Sequence, residues 1–171
     1  AKGRLRNATM ADMKGVDLIV EAIFEDPAVK RGTYMELSAM VPADVMFASN
    51  TSSISISELA TASGRPAQFI GMHFFNPVPL MKLVEVVVGL QTAEPVVAAI
   101  VALARELGKT PHIVKDHPGF VSNRILMPMI NEAVACLADG VASAETIDEV
   151  MKLGMAHPMG PLALADLIGL D

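Results

Sequence analysis

Asp17-Leu18-Ile19-Val20-Glu21-Ala22-Ile23-Phe24, followed at once by Glu25-Asp26-Pro27, is the stretch that decides the fold class. Its aliphatic residues fall on both faces, the pattern of a strand buried in a parallel sheet with helices on each side. Asp26 is a good N-cap and Pro27 fits the first helical position, so the sequence predicts a helix over 27–40 that stops near Pro42. Working outward, residues 45–49 form a second strand, and Ser55 with Glu58 has the spacing of a capping box that opens a short helix over 56–62. Strands at 69–74 and 83–88 are joined by Asn76-Pro77-Val78-Pro79, a connector that cannot donate a full ladder of hydrogen bonds. A helix from about Glu94 to Leu107 ends at Gly108, and residues 110–114 make another strand. Strands alternating with helices indicate an α/β unit with a largely parallel sheet.

The character changes at Asp116-His117-Pro118-Gly119. From Phe120 apolar residues recur at three- and four-residue spacing through Ala138, Gly140 ends that helix, Ser143 caps another reaching about Met151, and Pro158 to Pro161 precede a third. The expected division is a partial α/β domain over 1–116 and a partial all-helical domain over 117–171. Opening at Ala1 without Met and stopping inside an apolar run, the 171 residues read as part of a longer protein.

Composition narrows the function classes. With 52% hydrophobic and 19% charged residues the chain can bury enough apolar surface to offset its conformational entropy, which excludes intrinsic disorder. No apolar stretch approaches the roughly 18 to 20 residues of a bilayer-spanning helix. Thirteen basic against nineteen acidic residues give a net charge of −6, with the basic ones scattered, which argues against nucleic-acid binding. The single Cys136 cannot form an internal disulfide, and a reducing, cytoplasmic setting fits best. The twelve methionines read as packing, in a core or at a subunit contact. The sequence holds no Walker A loop, no G-x-G-x-x-G between a strand and a helix, and no Cys/His cluster with zinc spacing.

Three places can carry chemistry. Ser49-Asn50-Thr51-Ser52-Ser53 follows a strand, where an open α/β sheet binds its ligands; the same residues also serve as an ordinary turn that caps the next helix. His73, at the end of a hydrophobic strand, can take a proton from an alcohol, or can be a core histidine with its ring nitrogens satisfied; His112, His117 and His157 are given the latter reading. Glu85 sits among Leu83-Val84 and Val86-Val87-Val88, and a buried carboxylate there needs a partner. A His73–Glu85 pair is the simplest solution, because a carboxylate on one imidazole nitrogen fixes the tautomer and stabilises the imidazolium; the alternative is a Glu85 pointing to solvent from a strand edge. Glu21 poses the same problem in the first strand, Glu25 stands where a ribose hydroxyl could bind, and Asn123 with Arg124 opens the long helix after the boundary.

Taken together, SNTSS at 49–53, GMHFFNPVPLMKLVEVV at 71–87, DHPGFVSNRILMPMINEA at 116–133 and MKLGMAHPMGPLALADLIGLD at 151–171 resemble the L-3-hydroxyacyl-CoA dehydrogenases, the bacterial 3-hydroxybutyryl-CoA branch most. The resemblance implies a Rossmann-type NAD-binding domain followed by a helical domain that supplies much of a homodimer contact, with this chain spanning the back of the first and the front of the second. It implies oxidation of (S)-3-hydroxyacyl-CoA thioesters, with His73 as the base and Glu85 as its orienting carboxylate. Ser52 and Asn123 would hold the substrate oxygen, and Ala22, Glu25, Lys30, Asn50 and Asn76 match positions lining the NAD site. The glycine-rich turn and ribose-binding acidic residue of the family are absent from these residues. The rival expectation is therefore a non-catalytic homologue kept for acyl-CoA binding or dimerisation.

Overall fold

The computed structural model describes residues 6–169; the first five residues and the last two of the 151–171 motif lie outside the described residues. The chain divides into two compact units, one ending at Phe120 and one beginning at Val121. The first is built on five strands, β1 (Leu18–Glu21), β2 (Met46–Ser49), β3 (Phe69–Phe74), β4 (Leu83–Val88) and β5 (Thr110–Lys115), lying in sequence order across one sheet. β1, β2 and β3 run parallel, β3 and β4 antiparallel, and β4 and β5 parallel again. The helices of this unit are α1 (Pro27–Met40), α2 (Ile56–Ala62) and α3 (Glu94–Glu106), with short 3-10 turns at Met10–Gly15 and Pro66–Gln68.

Local chemistry sets these elements. The Asp26 carboxylate accepts from the amides of Ala28 and Val29 at 2.8 Å each, ahead of Pro27 at the first turn of α1. Ser55 accepts from Glu58 N at 3.3 Å to start α2, and Gly108 closes the α3 end with φ +74°. One face of the sheet packs Tyr34, Leu37, Phe47, Ile56, Leu59 and Phe69 under α1 and α2; the other packs Ile70, Met72, Val84, Val86, Val96 and Ile100 under α3. Adjacent residues of β3 and β4 thus serve opposite layers, as the strand period requires.

One expectation fails. β1 is four residues, not eight, and it is not covered on both sides: Val20 is 45% and Phe24 86% exposed. Among the described residues β1 is an edge strand; Ile19 and Glu21 are buried on one face, while on the other Leu18 is only partly buried against the α3 layer.

In the second unit α4 (Ser122–Ala138), α5 (Ala144–Met155) and α6 (Pro161–Ile168) pack around Ile130, Ala133, Ile147 and Ala165. α4 begins two residues later than the periodicity suggests, because Gly119 (φ +74°) and Phe120 (φ +50°) are both left-handed. α5 runs on past Met151 to a left-handed Ala156. The Asp148 carboxylate accepts from the amides of Leu162 and Ala163 at 2.9 Å, tying α5 to the start of α6. Met127, Met155 and Met159 lie at the surface, so core filling does not account for them.

Candidate active site

The antiparallel β3–β4 pairing puts His73 directly opposite Glu85. Met72, Val84 and Val86 face the α3 layer, so the residues between them turn to the α1/α2 side, and both His73 and Glu85 are buried there. His73 Nδ1 stands 2.9 Å from Glu85 Oε2, and His73 Nε2 stands 3.1 Å from Ser52 Oγ. With Glu85 ionised, Nδ1–H donates to it, and the Nε2 lone pair of the neutral ring faces the Ser52 hydroxyl. The imidazole is flanked by Phe75 at 4.6 Å and Phe120 at 5.7 Å between ring centroids. Of the two readings for Glu85, the paired one describes the structure; the solvent-facing edge does not.

The 49–53 turn divides its labour. Ser49 donates to Glu21 Oε2 at 2.8 Å and is structural. Asn50 Oδ1 accepts from Phe74 N at 2.9 Å, stitching the turn to β3 beside His73. Thr51 Oγ1 accepts from Ile54 N at 3.0 Å and donates to Glu25 Oε1 in a short contact. Ser52 alone reaches the imidazole, while its amide donates to Glu25 Oε1 at 2.9 Å. Burial pushes the Glu25 carboxyl up, but the Thr51 hydroxyl, the Ser52 amide and the Lys30 ammonium outweigh it and hold the group below its ordinary value.

Glu21 solves its burial with four donors: Ile23 N at 2.7 Å, Lys30 Nζ at 2.7 Å, Ser49 Oγ at 2.8 Å and Tyr34 OH at 3.1 Å. Burial, and next the Glu21 charge, push the Tyr34 phenol well above its usual range. Lys30 is 1% exposed, with Nζ turned to Glu21, to Ile23 O at 3.2 Å and to Glu25 Oε2 at 3.2 Å. Its ammonium thus lies against these three oxygens. The spacing of Lys30 and Tyr34, four residues apart on one face of α1, was the available signal for this network. Ala22, Glu25 and Asn76 are exposed, and Asn50 is half-buried, all at or just beyond the carboxyl ends of β1, β2 and β3. Asn123 is half-buried in the first turn of α4, in the second unit.

Residues 3–117 match the model of the 3-hydroxyacyl-CoA dehydrogenase NAD binding domain, and residues 119–171 that of the 3-hydroxyacyl-CoA dehydrogenase C-terminal domain. A probable 3-hydroxybutyryl-CoA dehydrogenase of Deinococcus radiodurans is 58% identical over 99% of this chain and 61% of its own length. A 3-hydroxybutyryl-CoA dehydrogenase of Clostridioides difficile is 55% identical over 94% of this chain and 57% of its own. The crystal structure of (S)-3-hydroxybutyryl-CoA dehydrogenase from Ralstonia eutropha superposes with a TM-score of 0.92 at 53% identity, covering 95% of this chain and 58% of that one. The chain thus spans about three fifths of the length of these relatives. Among the described residues no helix is long and apolar enough to cross a membrane.

Proposed function

Because the chain belongs to the 3-hydroxyacyl-CoA dehydrogenase family and carries its NAD binding domain match, we propose that it forms the catalytic portion of an NAD-dependent dehydrogenase of short-chain (S)-3-hydroxyacyl-CoA thioesters, with 3-hydroxybutyryl-CoA as the substrate. The observation that carries this reading is the buried His73–Glu85 pair, with Nδ1 on the carboxylate and Nε2 turned toward Ser52.

His73 Nε2 takes the proton of the substrate 3-hydroxyl as the C3–H bond breaks, and the substrate becomes the 3-ketone. NAD, when bound, supplies the acceptor for the hydride leaving C3. Glu85 keeps the ring in the tautomer that leaves Nε2 unprotonated and then stabilises the imidazolium formed there. Ser52 hydrogen bonds the substrate oxygen and orients it on Nε2; Asn123 is assigned the same substrate by motif.

The residues present fit one side of such a cofactor. The Glu25 side chain, 43% exposed and held ionised, lies just past the carboxyl end of β1 with Ala22, and can accept from a ribose hydroxyl. Asn50 and Asn76 offer polar groups along the same edge of the sheet. The expected division at residues 1–116 and 117–171 assigns this binding to the first domain. A homodimer through the helical part, acting in the cytoplasm, completes the proposal.

The test is NADH oxidation with acetoacetyl-CoA by the intact gene product. Turnover dependent on both compounds supports the reading. Stoichiometric acyl-CoA binding with no NADH oxidation overturns it in favour of a binding or dimerisation module.

A further inference from the structure

We propose that Phe120 is a positioning residue for His73, its buried ring fixing the plane of the imidazole and keeping water off the His73–Glu85 hydrogen bond; its role in turnover rests on the dehydrogenase reading above. Phe120 is 3% exposed, and its ring centroid lies 5.7 Å from that of His73 with the planes at 60°. It shares a buried cluster with Tyr34, Leu37, Phe47 and Phe69, so the ring is part of the packed α1/α2 layer. The backbone gives a second observation. Phe120 has φ +50° directly after Gly119 at +74°, a left-handed conformation that residues with a Cβ rarely adopt. The chain is anchored just before it: the Asp116 carboxylate accepts from Ser55 Oγ at 2.9 Å, Ile56 N at 3.1 Å and Ser57 N at 2.8 Å, and Phe120 N donates to His117 O at 2.8 Å. Two consecutive left-handed residues then bring the phenyl ring to the imidazole.

The two hydrogen bonds of His73 leave one freedom open. Nδ1 to Glu85 and Nε2 to Ser52 fix the line between two points on the rim of the ring. They do not fix rotation of the ring plane about that line, and the torsion that turns a histidine plane is intrinsically broad. Packing against the ring removes this freedom. Phe75 supplies one contact, at 4.6 Å between centroids, but is itself half-buried. Phe120 is the buried neighbour, set by its own backbone. Without its ring the imidazole plane turns and the Nε2 lone pair swings away from the substrate hydroxyl; a misplacement of about 1 Å costs on the order of 100-fold in rate. Water that enters the vacated space competes with Nδ1–H for the Glu85 carboxylate, and a hydrogen bond in wetter surroundings is weaker.

The test compares Phe120→Ala and Phe120→Leu with Leu37→Ala, which opens the same buried cluster from α1, all in the intact gene product. Phe120→Leu keeps an apolar side chain of similar bulk and so keeps the fold if Phe120→Ala does not. In Phe120→Ala kcat is expected to fall on the order of 100-fold with KM for acetoacetyl-CoA little changed, the signature of an interaction that serves the transition state. Phe120→Leu loses less, and Leu37→Ala lowers the unfolding midpoint while kcat of the folded protein stays near wild type. A raised KM with kcat preserved overturns the proposal and makes Phe120 a substrate contact; an equal loss of kcat in Leu37→Ala overturns it and makes Phe120 packing only. The second readout is the NMR signal of the His73 Nδ1–H proton without cofactor or substrate. It is expected to exchange slowly with water in wild type and Leu37→Ala and measurably faster in both Phe120 variants; exchange that is the same in wild type and Phe120→Leu overturns the inference. A wild-type protein without turnover defeats the dehydrogenase reading and leaves the ring proton to decide this one.

Discussion

Glu21 and Glu85 are both buried carboxylates in aliphatic strands of the same sheet, and the sheet treats them differently. Glu21 is surrounded by donors from α1, β2 and the loop after β1, among them a lysine that is itself buried and forms an ion pair with it. Glu85 is given a histidine, a side chain that can take up a proton and give it back. A carboxylate balanced by a fixed charge stabilises an arrangement. A carboxylate balanced by a titratable ring can stabilise one protonation state of that ring against another, which is what a proton transfer needs. The partner's chemistry, more than the burial, separates the structural glutamate from the one assigned to catalysis.

The most severe way to break the comparison is at the ring. His73→Ala is expected to lower turnover roughly 100- to 10,000-fold, the range of general-base catalysis, with an unchanged circular dichroism spectrum. Near-normal turnover in steady-state assays of this variant removes His73 from the chemistry. At the other glutamate the loss falls on stability: Glu21→Gln leaves the Lys30 ammonium with Glu25 as its remaining carboxylate and is expected to cost about 3 kcal/mol in urea unfolding. A cost under about 1 kcal/mol, the scale of an exposed pair, would erase the contrast.

Between these sits the strand pairing that both depend on. Gly71 pairs with Val87, next but one to the His73–Glu85 pair, and a Cβ there would lie 2.7 Å from Val87 Cβ and 2.9 Å from Ile56 Cδ1. Gly71→Ala is expected to destabilise the protein by about 1 to 3 kcal/mol through overpacking, with a drop in turnover as β3 and β4 part. Thermal unfolding and turnover measured on the same preparation check this, and a stable, fully active variant contradicts it.

The smallest effect concerns Asp116, which caps α2. Burial raises its carboxyl, but Ser57, Ser55 and the Ile56 amide outweigh that and hold it below its ordinary value. Because the folded value is depressed, the stabilisation is present above the unfolded value of 3.8 and is lost as pH falls through the folded one. Asp116→Asn should therefore narrow the stability gap to wild type as pH drops below about 4; a gap that stays constant down to pH 2 contradicts the capping role.

Much of this was legible in the sequence because it was local. Asp26-Pro27, Ser55 with Glu58, and Gly108 each announce a helix end through groups within one turn, and the helices begin and end there. The need of Glu85 for a partner could be read from its aliphatic neighbours, and His73 was the nearest candidate. That the two stand directly opposite could not, since it follows from the antiparallel register. The Glu21 network stayed hidden because Lys30, Tyr34 and Ser49 come from two further elements and meet only once α1 lies on the sheet. β1 was overread because an aliphatic run does not say which of its faces has a neighbour.

The account turns on Glu85 governing the protonation of His73, and the direct measurement is the pH dependence of kcat/KM for 3-hydroxybutyryl-CoA oxidation in wild type and Glu85→Gln. The variant keeps the side chain's size and removes the charge that favours the imidazolium. The predicted result is a large loss of turnover with modest change in substrate binding, and a pH profile that differs from that of the wild type. A profile that superposes on the wild type would contradict it.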